Sequence, residues 1–165
     1  MELNKIIENR FEFQNLLTER LYTNRIIIHH TGAALDASAA QIHQWHIEKG
    51  YAGIGYHFVI RKNGAIERGR PLWAQGAHAY GANWDSVGIH LSGEFFEEQP
   101  TPEQIEACAM LIADIAAEYD LPIDRKHIKG HCEVNATDCP GVNLFEQLPT
   151  ICGKANWYLE AYSED

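Results

Sequence analysis

Long apolar runs are missing from this chain. No stretch approaches the roughly 18–20 residues that a membrane-spanning helix requires, which argues against membrane insertion. Positive charge is also scarce: 13 Lys and Arg face 23 Asp and Glu, a formal net charge of −10. A nucleic-acid binder needs a basic footprint, so that class is disfavoured. No run of like charge forms an acidic tail. The opening, MELNKIIENRFEFQNLL, lacks the basic start, apolar middle and small-residue cleavage site of a secretory leader. The expectation is synthesis in the cytoplasm without a signal peptide. Cysteine is limited to Cys108, Cys132, Cys139 and Cys152. Four cysteines allow three disulfide pairings, but a cytoplasmic chain needs none of them. At 165 residues and 45% apolar composition, one hydrophobic core can form without cross-links. Internal repeats, low-complexity tracts and Pro/Ser linkers are absent as well, so a single domain is expected.

What is present alternates between helix and strand signals. Residues 4–21 carry Ile6, Ile7, Phe11, Phe13, Leu16, Leu17 and Leu21 at roughly helical spacing, which predicts a helix. RIIIHH (25–30) is a β-branched run that reads as a buried strand. Residues 36–50 predict a helix, capped at its start by Asp36 or Ser38 and ended by Gly50. Residues 55–70 predict a hairpin around a two-residue Asn63-Gly64 turn. Residues 86–93 predict a strand. Residues 101–119 predict the clearest helix, with Thr101 as cap and Pro102 at its first position. Short helices are expected near 143–148 and 154–162. This order argues for an α/β domain: a central mixed β-sheet covered by helices.

Nine histidines shift attention toward a metal. In GHCEVNATDCPG (130–141), His131 and Cys139 lie eight residues apart in a loop that can fold back on itself. Imidazole nitrogen and thiolate are zinc ligands, and a catalytic zinc keeps three of them. His29 and His30, at the end of the apolar strand, offer the third. Neighbouring strand residues face opposite sides. Because Ile26, Ile27 and Ile28 make both sides apolar, periodicity does not say which histidine faces the cleft.

Five blocks then line up: IIIHHTG, QIHQWHIEKGYAGIGYHFVIRKNGAIERGR, GAHAYGANWDSVGIHLSGEF, TPEQIEA and GHCEVNATDCPG. In this order and spacing, over about residues 24–150, the chain resembles the zinc-dependent N-acetylmuramoyl-L-alanine amidases. That family includes T7-type phage lysozymes and peptidoglycan recognition proteins. The resemblance implies Zn²⁺ held by His29, His131 and Cys139 at strand ends in a surface cleft. Binding-only relatives often lose the cysteine, so its retention here implies catalysis. Tyr56 of GYHF is implied beside the zinc as a residue required for activity. Thr137 stands where phage members tend to carry lysine and active animal members often carry threonine. Glu133 occupies a variable position and is not expected to be the general base. Cys132 is expected to be a bystander. His78, Asn83 and Trp84 are expected to line the substrate groove, and Arg70 to pair with a stem carboxylate.

The implied reaction is hydrolysis of the amide between the lactyl group of N-acetylmuramic acid and L-alanine in peptidoglycan. Zinc would bring the pKa of its water to about 7. The Tyr56 and Thr137 hydroxyls would donate to the developing oxyanion, while His30, His57 and His78 are weaker candidates for a proton shuttle. Two other classes stay open: a muropeptide-binding module that does not cleave, and a structural zinc protein closed by a fourth ligand, Cys132 or His30. The expected organisation is an N-terminal helical extension (1–22), the amidase domain (23–152) and a C-terminal tail (153–165). The expected partner is peptidoglycan, met by a monomeric chain with no nucleic acid involved. The expected setting is a phage endolysin acting on the wall after release, with a bacterial autolysin or recycling amidase as alternatives.

Overall fold

The structure, a computed structural model, describes residues 3–162. Among these the order is β1 (Ile6–Ile7), β2 (Arg25–His30), α1 (Ala39–Glu48), β3 (Phe58–Ile60), β4 (Ile66–Arg68), β5 (Ser86–Leu91), α2 (Pro102–Tyr119), β6 (Ile128–Gly130), α3 (Val142–Phe145) and α4 (Leu148–Tyr162). The strands form one sheet in the order β1-β4-β3-β5-β2-β6. The β3–β4 pair is antiparallel and the other neighbours run parallel, so the sheet is mixed as expected.

A largely parallel sheet must be covered on both faces. On one face, Ile26 and Ile28 of β2, Phe58 and Ile60 of β3, and Val87, Ile89 and Leu91 of β5 pack against α2 and α4. The helices contribute Cys108, Leu111, Ile112 and Ile115, then Leu148, Ile151 and Cys152. Burying each large aliphatic side chain contributes about 1.5–3 kcal/mol, so this layer dominates the stability. On the other face, Val59 packs with Ile42 of α1 and Ile54, and Ile27 packs with Ala79 and Ala82.

This alternation separates the two histidines that periodicity left open. Ile27 and His29 share the α1 face. His30 points to the α2 side, where its Nδ1 accepts from the Phe95 amide at 3.2 Å.

Helix α2 begins as its sequence predicts: Thr101 and Gln104 form a reciprocal capping box, with Pro102 in the first turn. For α1 the cap is Ser38, which accepts from Gln41 N at 3.1 Å. Asp36 instead pairs with Arg61 at 3.2 Å. Gly50, at φ +91°, follows the helix end.

Three expected elements differ. Residues 4–21 form no helix. They run extended, with Ile6–Ile7 pairing parallel to β4 and Glu19 bridging to Ala74. Phe11 and Phe13 explain why: both pack on the His43 ring, at centroid distances of 4.4 and 5.3 Å. Residues two apart share one side of an extended chain but not of a helix. Leu16, which the helical pattern counted as apolar face, is fully exposed. The β3–β4 turn uses three residues, Lys62, Asn63 and Gly64. Arg61 N donates to Ala65 O, Gly64 N donates to Arg61 O, and Gly64 sits at φ +88°. The last helix begins at Leu148 rather than near 154 and packs on α2 through Ile151, Cys152 and Ala155.

Candidate metal centre

The free end of β2 delivers His29 into a cleft, and the turn after β6 delivers His131 and Cys139 to the same place. One ligand atom from each of these three residues lies within 4.8 Å of the others. His29 is fully buried, and the other two are half-buried.

The hydrogen bonds around the cluster decide which nitrogens are bare. The Ser86 hydroxyl donates to Ala82 O at 2.6 Å, so its oxygen is the acceptor for His78 Nε2–H at 3.3 Å. His78 Nδ1 is then an acceptor, and it takes the Nε2–H of His29 at 2.8 Å. His29 Nδ1 is left with a lone pair, 3.8 Å from Cys139 Sγ. His131 is fixed in the same way. Asn135 Nδ2 donates to Tyr80 O at 3.0 Å, which fixes Asn135 Oδ1 as the acceptor for His131 Nε2–H at 2.8 Å. His131 Nδ1 is therefore bare as well. Metal-binding histidines are held in this way, with the distal N–H engaged by an outer partner.

Protonation agrees with this pattern. Burial, then the neighbouring histidines, holds the His29 pKa well below the usual imidazole value. Burial also lowers that of His131. The Cys139 thiol is pushed up to about 12 by burial, partly offset by the His30 amide, which donates to its sulfur at 3.3 Å. A buried thiol of this kind ionises when a cation binds it. Two bare imidazole nitrogens and one such sulfur make a borderline-soft donor set that fits zinc. Glu133 lies outside the cluster, bonded to Arg125 at 2.6 Å and to Gly130 N at 3.0 Å. Cys132 is also outside it, although its amide donates to Cys139 O at 2.8 Å.

The cleft beside the cluster has a volume of about 610 Å³. Tyr56, His78, Asn83, His131 and Thr137 line it, together with His46, Lys49, Tyr51, Tyr80 and Asn135. The Tyr56 ring lies 4.9 Å from the His29 ring, and burial, then nearby Cys139, raises the phenol pKa. At neutral pH it is a hydrogen-bond donor. Thr137 Oγ1 accepts from Cys139 N at 3.2 Å, which leaves its O–H free to donate.

Four expected substrate contacts read differently in the structure. Arg70 is buried and holds the scaffold, donating to Ile54 O at 2.8 Å and Gln75 O at 2.9 Å, so it is not free to meet a stem carboxylate. Both His78 nitrogens are spent on His29 and Ser86, which makes His78 a support for the metal centre. His78 lies over Gly88, where a Cβ would stand 2.7 Å from its ring. Asn83 Oδ1 accepts from His78 N and Ala79 N, so only its amide nitrogen is left for the cleft. Trp84 is 48% exposed but is not among the residues that line the cleft, and it packs edge-on to Tyr22.

His46, Lys49, Tyr51, Tyr80 and Asn135 line the cleft without having been expected from the sequence. Signals for some of them existed. His43, His46 and Lys49 recur at three-residue spacing along one side of α1, and Asn135 lies four residues after His131.

Residues 19–142 match the family described as N-acetylmuramoyl-L-alanine amidase. The chain is 34% identical to the endolysin of Klebsiella phage KP32 over 134 residues, covering 77% of this chain and 86% of that protein. Among solved structures, the N-acetylmuramoyl-L-alanine amidase LysC from Clostridium intestinale URNW aligns with a TM-score of 0.83 at 36% identity, covering 89% of this chain and 96% of that one. Drosophila PGRP-LB aligns with a TM-score of 0.77 at 28% identity, covering 87% and 92%.

Proposed function

The chain belongs to the N-acetylmuramoyl-L-alanine amidase family and is a peptidoglycan amidase, and from that premise we propose that its metal is zinc, held by His29, His131 and Cys139. The observation that carries this reading is that one ligand atom from each of His29, His131 and Cys139 lies within 4.8 Å of the others, while the Nε2 atoms of both histidines are engaged by outer partners. Three protein ligands leave a position open, as catalysis requires. Neither candidate for a fourth ligand joins the cluster, which favours a catalytic centre over a closed structural one.

Zinc at such a site supplies Lewis-acid activation of water and of the scissile carbonyl. The chain's own groups do the rest. Tyr56, neutral at pH 7, donates its hydroxyl to the oxyanion that develops on the lactyl carbonyl. Thr137 presents a second hydroxyl from the opposite loop. Loss of one such donor costs about 10²- to 10³-fold in rate. The amide nitrogen of Asn83 and the ammonium of Lys49 are the polar groups offered to the stem peptide, and the exposed Tyr80 ring offers an apolar face to the glycan. The setting we propose is that of a phage endolysin, acting as a monomer on the cell wall after release.

The test is direct. Zinc is quantified in purified protein, which is then incubated with peptidoglycan, and free stem peptides beginning with L-alanine are sought by mass spectrometry. About one zinc per chain and chelator-sensitive release are expected. Release that persists after complete metal removal would refute the assignment.

A further inference from the structure

The two residues that precede Tyr56 have all four backbone polar groups engaged. Ile54 N donates to His43 Nδ1 at 3.0 Å, and Ile54 O accepts from Arg70 at 2.8 Å. Gly55 N donates to His46 Nδ1 at 2.9 Å, and Gly55 O accepts from Ala77 N at 3.0 Å. Two histidines one turn apart on α1 therefore receive successive amides of the segment that aims Tyr56.

His43 does more than accept. Its Nδ1 faces an N–H, so its Nε2 carries the proton and donates to Glu12 O at 3.1 Å. Its ring lies flat against Phe11, 11° from parallel, and edge-on to Phe13. Gln14 N donates to Ala52 O at 2.8 Å in the same junction. The packing leaves no slack: a Cβ on Gly53 would stand 2.3 Å from the His43 ring and 2.8 Å from Phe13. Burial lowers the His43 pKa, which keeps the imidazole in the neutral form that this pattern needs.

We infer that His43 is a positioning residue for Tyr56: it ties residues 11–14 of the N-terminal segment to the Ile54 amide, and so sets where the Tyr56 hydroxyl stands in the cleft. The inference rests on the reading of Tyr56 as the oxyanion donor. It assigns a function to a segment that precedes the matched family span. A shift of about 1 Å in a reacting group can cost on the order of 10²-fold in rate.

The experiment is a double-mutant cycle between His43→Phe and Tyr56→Phe in the zinc-loaded full chain. Stem-peptide release is read together with zinc content and amide exchange at Ile54 and Gly55. His43→Phe removes both hydrogen bonds and keeps a ring for Phe11. It is expected to lower kcat about 10- to 100-fold, speed exchange at Ile54 and leave zinc content unchanged. His43→Gln, which retains an acceptor and a donor, is expected to restore kcat to within about threefold. In the Tyr56→Phe background, His43→Phe should lower the rate further by less than about twofold, because the group it positions is gone. Should His43→Phe not fold, His43→Asn, too short to reach both partners, takes its place with the same criteria. An unchanged kcat in the folded variant overturns the inference, as does an equal drop in both backgrounds. A fully active Tyr56→Phe enzyme overturns the reading of Tyr56 itself, and this inference with it.

Discussion

Lowering the pH from 7 to 5 should unfold much of this protein's margin of stability, because it stores histidines in the neutral form. Two of them lie away from the metal ligands. His57 is fully buried, donates to Ala74 O at 2.7 Å and accepts from Gly88 N at 3.0 Å, so a second proton would point at an N–H. Burial brings its pKa down to about 3. His46 accepts from Gly55 N, and burial, then Lys49 and Arg70, brings its pKa down to about 4. In the unfolded chain both titrate near 6.5, so the unfolded state binds more protons throughout the window between. The stability that these groups contribute is complete above about 6.5 and is lost as pH falls toward the folded values. At pH 5 each loss is about 1.4 kcal/mol per unit over about 1.5 units, or about 2 kcal/mol, and the pair loses about 4. Against a typical total of about 5–15 kcal/mol this is a large share. Urea unfolding followed by tryptophan fluorescence at pH 7, 6 and 5, with chelator throughout, measures it. His29 and His78, also depressed, add to the loss, so 4 kcal/mol is the smaller expectation. A loss under about 2 kcal/mol would contradict this histidine linkage, as would a His57→Gln variant whose slope against pH matches the wild type.

Cys139→Ser should fold but bind zinc far more weakly and show little activity, whereas Cys132→Ser should stay near wild type; zinc titration and peptide release separate them, and equal loss in both would contradict the ligand set. Tyr56→Phe should keep its zinc and lose about 10²- to 10³-fold in kcat. His78→Phe should weaken zinc affinity about 10- to 100-fold, since His29 loses the partner that fixes its tautomer; a chelator competition reads this without any substrate.

Much of the site was legible because its signals are local. The apolar strand that ends in two histidines, the Gly- and Pro-bounded loop with His131 and Cys139, and the capping residues of α2 all act within a few residues of themselves. The choice between His29 and His30 was not local. It depended on which sheet face α1 covers, and three consecutive isoleucines conceal that. Residues 4–21 carry apolar residues at roughly helical spacing, but the edge of β4 and the His43 ring take them as extended chain. Arg70 looked like a substrate anchor because a sequence cannot show that a guanidinium is already occupied by two carbonyls. The supporting roles of His43, His46 and His78 come from contacts spanning 9 to 49 residues, beyond any periodicity.

The one-way run of hydrogen bonds from His29 through His78 and Ser86 to the Ala82 carbonyl also sets the proton inventory of metal uptake. Both imidazoles already present bare nitrogens at pH 7, so neither has a proton to surrender. Only the Cys139 thiol does. Loading a divalent cation would therefore take one proton from the protein ligands and, before any bound water ionises, leave the centre with a net charge of about +1 inside a chain of formal charge −10. Below neutrality its affinity would climb about tenfold per pH unit, and the cleft would gain a local positive charge against an acidic surface.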